Sequence, residues 1–405
     1  MTAAKPPTRS EVKIALGMAA ALLFLVVILS AVLSDPRGFD FAGYYMSGLI
    51  IHQGNASRLY DLGEQARIER QLFNRDKILI NPHPPFEALG FASLARLSYT
   101  KAYVLWGAIN VLLWLLSQHL YWRDTPIPNN FFRYCLLSFL FFPLWGALII
   151  GQTTVLLLLV FTLTFVCLRR GQEFKAGILL GLGLFKFPVV LPFALICFLR
   201  GKWRLMAGFF AAASLLGVLS VVAVGPAGVR SYLNLMIDIL MNPDNPAYIS
   251  MRTWAKMPTV KGFIATLLTG RLASNSITLL AAAISAPLIL FAAWAWRQED
   301  RIRGGISPGL MFAAALVVSQ VTAPHFYAYD LTLMLLAVLL VISSPPWSKE
   351  SGQRTVLTAI MVTLYCPPLF ALLLRWQAVY LLAPVLVAFA LAAISLARKP
   401  EIPLI

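Results

Sequence analysis

The residues able to do chemistry in this chain are few, and most stand at the ends of apolar runs. Asp40 follows the first such run, in Arg37-Gly38-Phe39-Asp40-Phe41. A carboxylate there either caps the helix that begins near Ala42 or acts as a base toward a hydroxyl brought within reach. Lys186 stands in Lys186-Phe187-Pro188 near the middle of an apolar stretch. A lysine so placed can snorkel to the interface; at a helix break its ammonium can instead hold an anion, most simply a lipid phosphate. His325 follows Pro324 and precedes Tyr327, Tyr329 and Asp330. It reads either as a packed interface histidine or as a contact to phosphate or sugar. Gln152, in Gly151-Gln152-Thr153, either joins two helices or offers its amide to carbohydrate hydroxyls. Arg252, Trp254 and Lys256 form a solvated turn with an interfacial tryptophan, or an aromatic and basic surface for a sugar ring and a phosphate.

What must position these residues follows from composition. Of 405 residues, 59% are hydrophobic and 12% charged, about half the charged fraction of an ordinary soluble domain. No single soluble core hides that much apolar surface. Several runs reach roughly 18 to 22 residues almost without charge, the length of a bilayer crossing. The net charge of +16 sits in short loops between apolar runs, so it reads as membrane orientation and not as nucleic-acid binding. Cys135, Cys167, Cys197 and Cys366 lie in or beside apolar segments with no CxxC spacing, so neither a disulfide frame nor a metal site is expected.

The loops set the orientation. Lys5, Arg9 and Lys13 precede a retained first helix, about Ile14 to Leu33, and belong in the cytoplasm. Residues 34–100 then form a first outer loop with short amphipathic helices. Following parity along the chain, a single crossing from Ala176 to Leu199 would put Arg200, Lys202 and Arg204 outside, and would leave Lys186 and Pro188 in mid-membrane. Two short helices meeting at Lys186-Phe187-Pro188 remove both conflicts. A second large outer loop spans 225–275 with one amphipathic helix near Ser231 to Leu240, and the tail with Arg398 and Lys399 returns inside. The expected fold is all-α, a single polytopic helix bundle over 1–405 with roughly twelve membrane segments. Asp40, Tyr44, Tyr45, His83, Gln152, Lys186, Arg252 and His325 then share the outer face. No HExxH, P-loop, GxSxG or GxGxxG element is convincing, which disfavours soluble-type metalloprotease, nucleotide hydrolase and serine hydrolase chemistry.

The order of these features resembles glycosyltransferase family 87, polyprenyl-phosphate-mannose-dependent α-mannosyltransferases of the GT-C membrane fold. The matching pieces are Asp40-Phe41 with Tyr44-Tyr45, Gly54 and Leu59-Tyr60-Asp61, Pro82-His83-Pro84-Pro85-Phe86, Gly151-Gln152, Ala176-Gly177 with Lys186-Phe187-Pro188, and Pro324-His325. The resemblance implies a hexosyltransferase that takes a sugar, mannose in most members, from a polyprenyl-phosphate donor in the bilayer to a glycolipid or glycan hydroxyl on the outer face. Asp40 would be the general base of a single inverting displacement. Lys186 and His325 would face the donor phosphate, and Tyr44, Tyr45, Gln152, His83 and Arg252 would contact sugar or acceptor. No cofactor or metal is implied, and the setting would be a bacterial inner membrane with both termini cytoplasmic. The chain departs from the family where His83 replaces tyrosine before the double proline, and where Thr322-Ala323-Pro324 replaces a serine-tryptophan pattern. A flippase or transporter of lipid-linked sugars is the competing reading, although no internal repeat is evident. A non-catalytic scaffold fits poorly with so many clustered ionisable groups.

Overall fold

The computed structural model describes residues 9–32, 40–73, 80–124, 131–242, 245, 248, 253–301, 308–344 and 352–398. Among the described residues the chain is mostly helical, with no strand. The helices are α1 (Arg9–Val32), α2 (Phe41–His52), α3 (Leu62–Phe73), α4 (Pro85–Ala92), α5 (Tyr99–Asp124), α6 (Phe131–Phe139), α7 (Phe142–Ile149), α8 (Thr154–Arg169) and α9 (Glu173–Leu182). They continue with α10 (Phe187–Leu199), α11 (Trp203–Met241), α12 (Val260–Leu268), α13 (Ser274–Arg301), α14 (Pro308–Val321), α15 (Met334–Ile342), α16 (Gly352–Leu364), α17 (Pro367–Arg375) and α18 (Leu382–Ala397).

Among the described residues five helical runs are long and apolar enough to cross a bilayer, and a sixth if α16 and α17, which meet at a 65° bend, count as one. The protein is an integral membrane helix bundle. Helix α1, with 24 residues, also has the reach, about 36 Å at 1.5 Å per residue. The total falls short of the roughly twelve segments read from the apolar runs because several of those runs are core helices. Every residue of α14 from Leu310 to Val321 is buried, as is every residue of α15 from Met334 to Val341. With 14 residues, and with 15 once the 3-10 helix Ala328–Leu333 that leads into α15 is included, they span about 21 Å and about 25 Å, less than the hydrocarbon thickness. Their apolarity answers to the protein interior on all sides.

The run Glu173–Leu199 passes the length test for one crossing, yet it is folded back on itself. Lys202 Nζ lies 3.1 Å from Glu173 Oε1, whereas a straight helix of that length would part them by roughly 40 Å. Helices α9 and α10 are therefore the two limbs of a hairpin, with a 3-10 turn over Gly183–Lys186 at its apex. Glycines hold the outgoing limb against α11. A Cβ at Gly177 would fall 1.9 Å from the Leu205 carbonyl oxygen, and one at Gly208 2.0 Å from that of Phe174. The two backbones touch, as small residues permit between helices in lipid.

The hairpin base defines one end of the bundle. There Arg170 pairs with Asp124 at 2.5 Å, Arg200 lies 3.5 Å from the Trp296 ring centroid, and Arg398 lies 4.4 Å from that of Trp294. The C-termini of α5, α8, α10, α13 and α18 thus meet at a basic end. The apex, with Asp40 and the segment 325–330, occupies the opposite end.

The first loop is less uniform than its sequence implied. Helix α3 is amphipathic, burying Ile68 while Arg67 pairs with Glu64 at 2.6 Å. Helix α2 is not interfacial: all of Phe41 to Ile50 is buried, so this segment belongs to the core. In the second loop Gly225 takes φ 71° and ψ 170°, which ends the membrane half of α11 before Pro226 restarts it. The second half, which contains the predicted amphipathic segment, returns over the first loop, with the Tyr232 and Tyr60 rings 5.0 Å apart.

Candidate active site

Asp40 occupies the N-cap position of α2, but its carboxylate makes no capping bond. The backbone is held from elsewhere: Phe41 N–H donates to the Ile150 carbonyl at 3.0 Å. Across that contact Gly151 has φ +70°, and a Cβ there would lie 2.6 Å from the Phe41 Cβ. Both the left-handed backbone and the close approach require glycine. The turn it makes, closed by Gln152 N–H to the Ala147 carbonyl at 2.8 Å, places the next side chain against Asp40.

That side chain, Gln152, is the hub of the site. Its Nε2 donates to Asp40 Oδ2. Its Oε1 accepts from Lys186 Nζ at 2.8 Å and from the Tyr44 hydroxyl at 2.9 Å. Tyr329 lines the same cavity as Asp40. Lys186, carried in by the hairpin apex, also reaches Asp330 Oδ1 at 3.2 Å. Asp330 in turn accepts from Thr154 Oγ1 at 2.5 Å and from Tyr327 N–H at 3.0 Å. The ammonium is thus not a lone cation awaiting an anion. Two of its three N–H bonds are committed, and one remains for a ligand.

These groups line a cavity of about 180 Å³ together with Asn81, Pro82, His83 and His325. His83 Nδ1 is 2.7 Å from Glu87 Oε2, and its ring meets Tyr44 edge-on at 4.8 Å. His325 stacks edge-on against Tyr327 at 4.8 Å. Burial pushes its imidazole down to about 4; Asp330 opposes the shift, while Lys186, His83 and Lys261 add to it. It is neutral near pH 7, so it can offer a hydrogen bond but not a positive charge.

A second cavity, about 440 Å³, lies alongside. It is lined by Leu195 and Leu199 of α10, by Ala281, Ala282, Ala286 and Ile289 of α13, and by Thr322 and Pro324. Its cation is Lys261, whose Nζ lies 5.1 Å from the Trp254 ring centroid and whose ammonium form is disfavoured by burial. Pro324 lines the apolar cavity and His325 the polar one, so a single peptide step separates them.

Of the residues singled out from sequence, Asp40, His83, Gln152, Lys186 and His325 line the polar cavity, and Tyr44 backs it through Gln152. Tyr45 does not belong. Its hydroxyl donates to the Leu97 carbonyl at 2.7 Å and its ring packs on Phe41 and Tyr99, because the next position along a helix faces about 100° away. Arg252 lies outside the described residues. Sequence reasoning missed the pairing of Lys186 with Asp330, and it missed Glu87 and Lys261. Glu87 was discoverable, since it falls four residues after His83 at a proline-marked helix start. The partnership of Lys186 and Asp330 spans 144 positions and left no local trace.

A family model for glycosyltransferase family 87 matches residues 81–319, more than half of the chain. The chain belongs to glycosyltransferase family 87. No curated protein and no solved structure matches it. As a membrane glycosyltransferase it acts on a sugar donor and an acceptor. The matched stretch of this family 87 protein contains His83, Gln152, Lys186 and Lys261. Asp40 precedes it and His325, Tyr329 and Asp330 follow it, so the fold closes the site with segments from both sides of the matched region.

Proposed function

We propose that this glycosyltransferase moves a hexose, mannose by family resemblance, from a polyprenyl-phosphate donor to a hydroxyl of a glycolipid or glycan acceptor. The observation that carries the reading is the adjacency of two unlike cavities. One is polar and holds Asp40, Gln152 and Lys186; the other is apolar, faces the lipid-level helices α10 and α13, and bears a lysine. A sugar in the first and an isoprenoid chain in the second would set the linking phosphate beside the Pro324-His325 step. A nucleotide-sugar donor gives the apolar cavity no occupant. The basic end of the bundle, with Arg170, Arg200 and Arg398, belongs in the cytoplasm by the loop-charge rule, which puts the cavities toward the outer face.

In this mechanism Asp40 accepts the proton of the acceptor hydroxyl as its oxygen attacks the anomeric carbon. The bond from that carbon to the phosphate oxygen breaks, and the phosphate leaves with the electron pair and inversion at carbon. The free N–H of Lys186, the N–H of neutral His325 and the N–H groups of Lys261 are the donors available to the growing phosphate charge. Gln152 fixes Asp40 relative to Lys186, so attack and departure share one frame. A flippase would need polar groups continuing through both leaflets, whereas α14 and α15 pass beneath the site as buried, largely apolar helices.

The test supplies purified protein with a radiolabelled polyprenyl-phosphate hexose and membrane glycolipids. Label reaching the acceptor with wild type, and not with Asp40→Asn, supports the transferase. Unaltered donor crossing sealed vesicles supports transport.

A further inference from the structure

We propose that the second half of α11, residues 226–241, lies in the interface of the lipid leaflet at the cavity end of the bundle and seats the first loop there. The inference is independent of the transfer reading and gives the helix one partner, a phospholipid surface.

Residues 203–224 start beside the Glu173–Lys202 contact at the basic end. They rise about 33 Å, enough to cross the hydrocarbon by themselves. Gly225 therefore stands where acyl chains give way to headgroups. Its φ of 71° and ψ of 170° break the helix at that level, a backbone that only glycine takes freely. Continued straight, residues 226–241 would carry bare leucines about 24 Å into water. They fold back over the first loop instead.

At about 100° per residue the restarted helix divides into three sectors. Gly228, Tyr232 and Leu235 face the protein. A Cβ on Gly228 would come 3.5 Å from the Ser57 carbonyl oxygen, and the Tyr232 ring meets that of Tyr60 at 5.0 Å. Leu233, Ile237 and Leu240 share an arc of about 60° on one flank, and Ser231, Asn234 and Asp238 an arc of about 60° on the other. Arg230 and Met241 fall at the seam between the flanks.

The apolar flank is as bare as the lipid-facing side of the membrane half. Leu233, Ile237 and Leu240 are 53%, 58% and 65% exposed, against 58% for Phe210 and 75% for Val222. The chain continues on the polar flank: the Asp238 carboxylate accepts from Asn242 Nδ2 at 2.5 Å and from the Tyr248 hydroxyl. Three side chains on one narrow flank fall well short of the roughly 800 Å² per partner that a stable protein interface buries. A leaflet receives such a flank whatever its outline, with leucines among the acyl chains, Arg230 at the headgroups and the polar flank in water.

Tyr60 couples this seating to the site, because its hydroxyl donates to the His83 carbonyl at 2.6 Å. One wall of the polar cavity therefore rides at headgroup height.

The experiment places a nitroxide label on single cysteines in the full-length protein in phosphatidylcholine vesicles. The variants are Leu233→Cys, Ile237→Cys and Leu240→Cys on one flank, and Ser231→Cys and Asn234→Cys on the other. Unsubstituted protein carried through the same labelling supplies the background of the native cysteines. Power saturation reads collision with oxygen, which concentrates in hydrocarbon, and with a nickel chelate, which stays in water. The three apolar-flank labels should relax mainly by oxygen and the two polar-flank labels mainly by nickel, a reversal of the ratio between flanks. Nickel dominating on both flanks leaves the helix in water and overturns the inference. Shielding of the apolar flank from both reagents puts protein over it, a second copy where dipolar broadening joins the labels, and overturns it too. Either outcome leaves the transfer reading untouched.

Discussion

Asp40 and Lys186, 146 positions apart in the sequence, are joined through one side chain: Gln152 donates to the carboxylate and accepts from the ammonium at 2.8 Å. The carboxylate cannot turn without breaking the amide contact, and the amide cannot flip without setting its NH₂ against the ammonium. Carboxylate and ammonium therefore keep a fixed relation before any substrate arrives.

Gln152→Ala leaves both charged groups present but unlinked. Transfer should fall by about 100-fold, the usual penalty for reacting groups displaced by about an ångström, while thermal stability in detergent falls by no more than the loss of buried hydrogen bonds accounts for, about 1–3 kcal/mol. Rates and melting curves of the same preparations check this.

Asp40→Asn keeps the size and the polar contact to Gln152 and removes the proton acceptor. Turnover should drop by roughly 10² to 10⁴-fold with donor binding retained. Isothermal titration with the lipid-linked donor, beside the turnover assay, separates the two effects.

Lys186 and Asp330 are 13% and 8% exposed at their side chains, so removing one strands the other. Lys186→Met alone should cost about 3 kcal/mol of stability, since a broken buried pair leaves an uncompensated charge. Lys186→Met with Asp330→Asn should recover much of that loss while remaining inactive. Unfolding midpoints of wild type, the two single variants and the double variant form the required cycle.

His325 supplies a pH dependence with a definite sign. Its folded value of about 4 lies below the ordinary 6.5, so between those pH values the unfolded chain takes a proton that the folded chain refuses. Stability is full above pH 6.5 and declines as pH falls toward 4, by up to about 3 kcal/mol. His325→Gln should flatten this part of the curve. Melting temperatures of both proteins at pH 7.5 and 4.5 provide the comparison.

The hairpin predicts its own cross-link. With Cys167 and Cys197 replaced by alanine, Glu173→Cys and Lys202→Cys should be joined by a flexible bismaleimide cross-linker, because the native side chains reach each other at 3.1 Å. A single straight crossing would keep the two positions at opposite membrane surfaces and give none.

The sequence alone determined the class of this protein and much of its site. Apolar runs free of charge have no stable place except a membrane or a large interior, so the all-α bundle was legible. Lys186 beside Pro188, and three basic residues directly after the apolar run, already required a broken helix, because an ammonium at mid-membrane and cations on the outer side are both costly. Tertiary structure decided what local chemistry could not encode. Whether an apolar helix faces lipid or protein depends on its neighbours, since Leu and Ala suit both, and so α14 and α15 read as crossings and folded as core. Tyr44 and Tyr45 are chemically alike, and only the seating of α2 against α4 gave one to the site and the other to packing. The counterion of Lys186 was likewise open, because a charge pair is fixed by proximity in space, and proximity between positions 186 and 330 is a property of the fold.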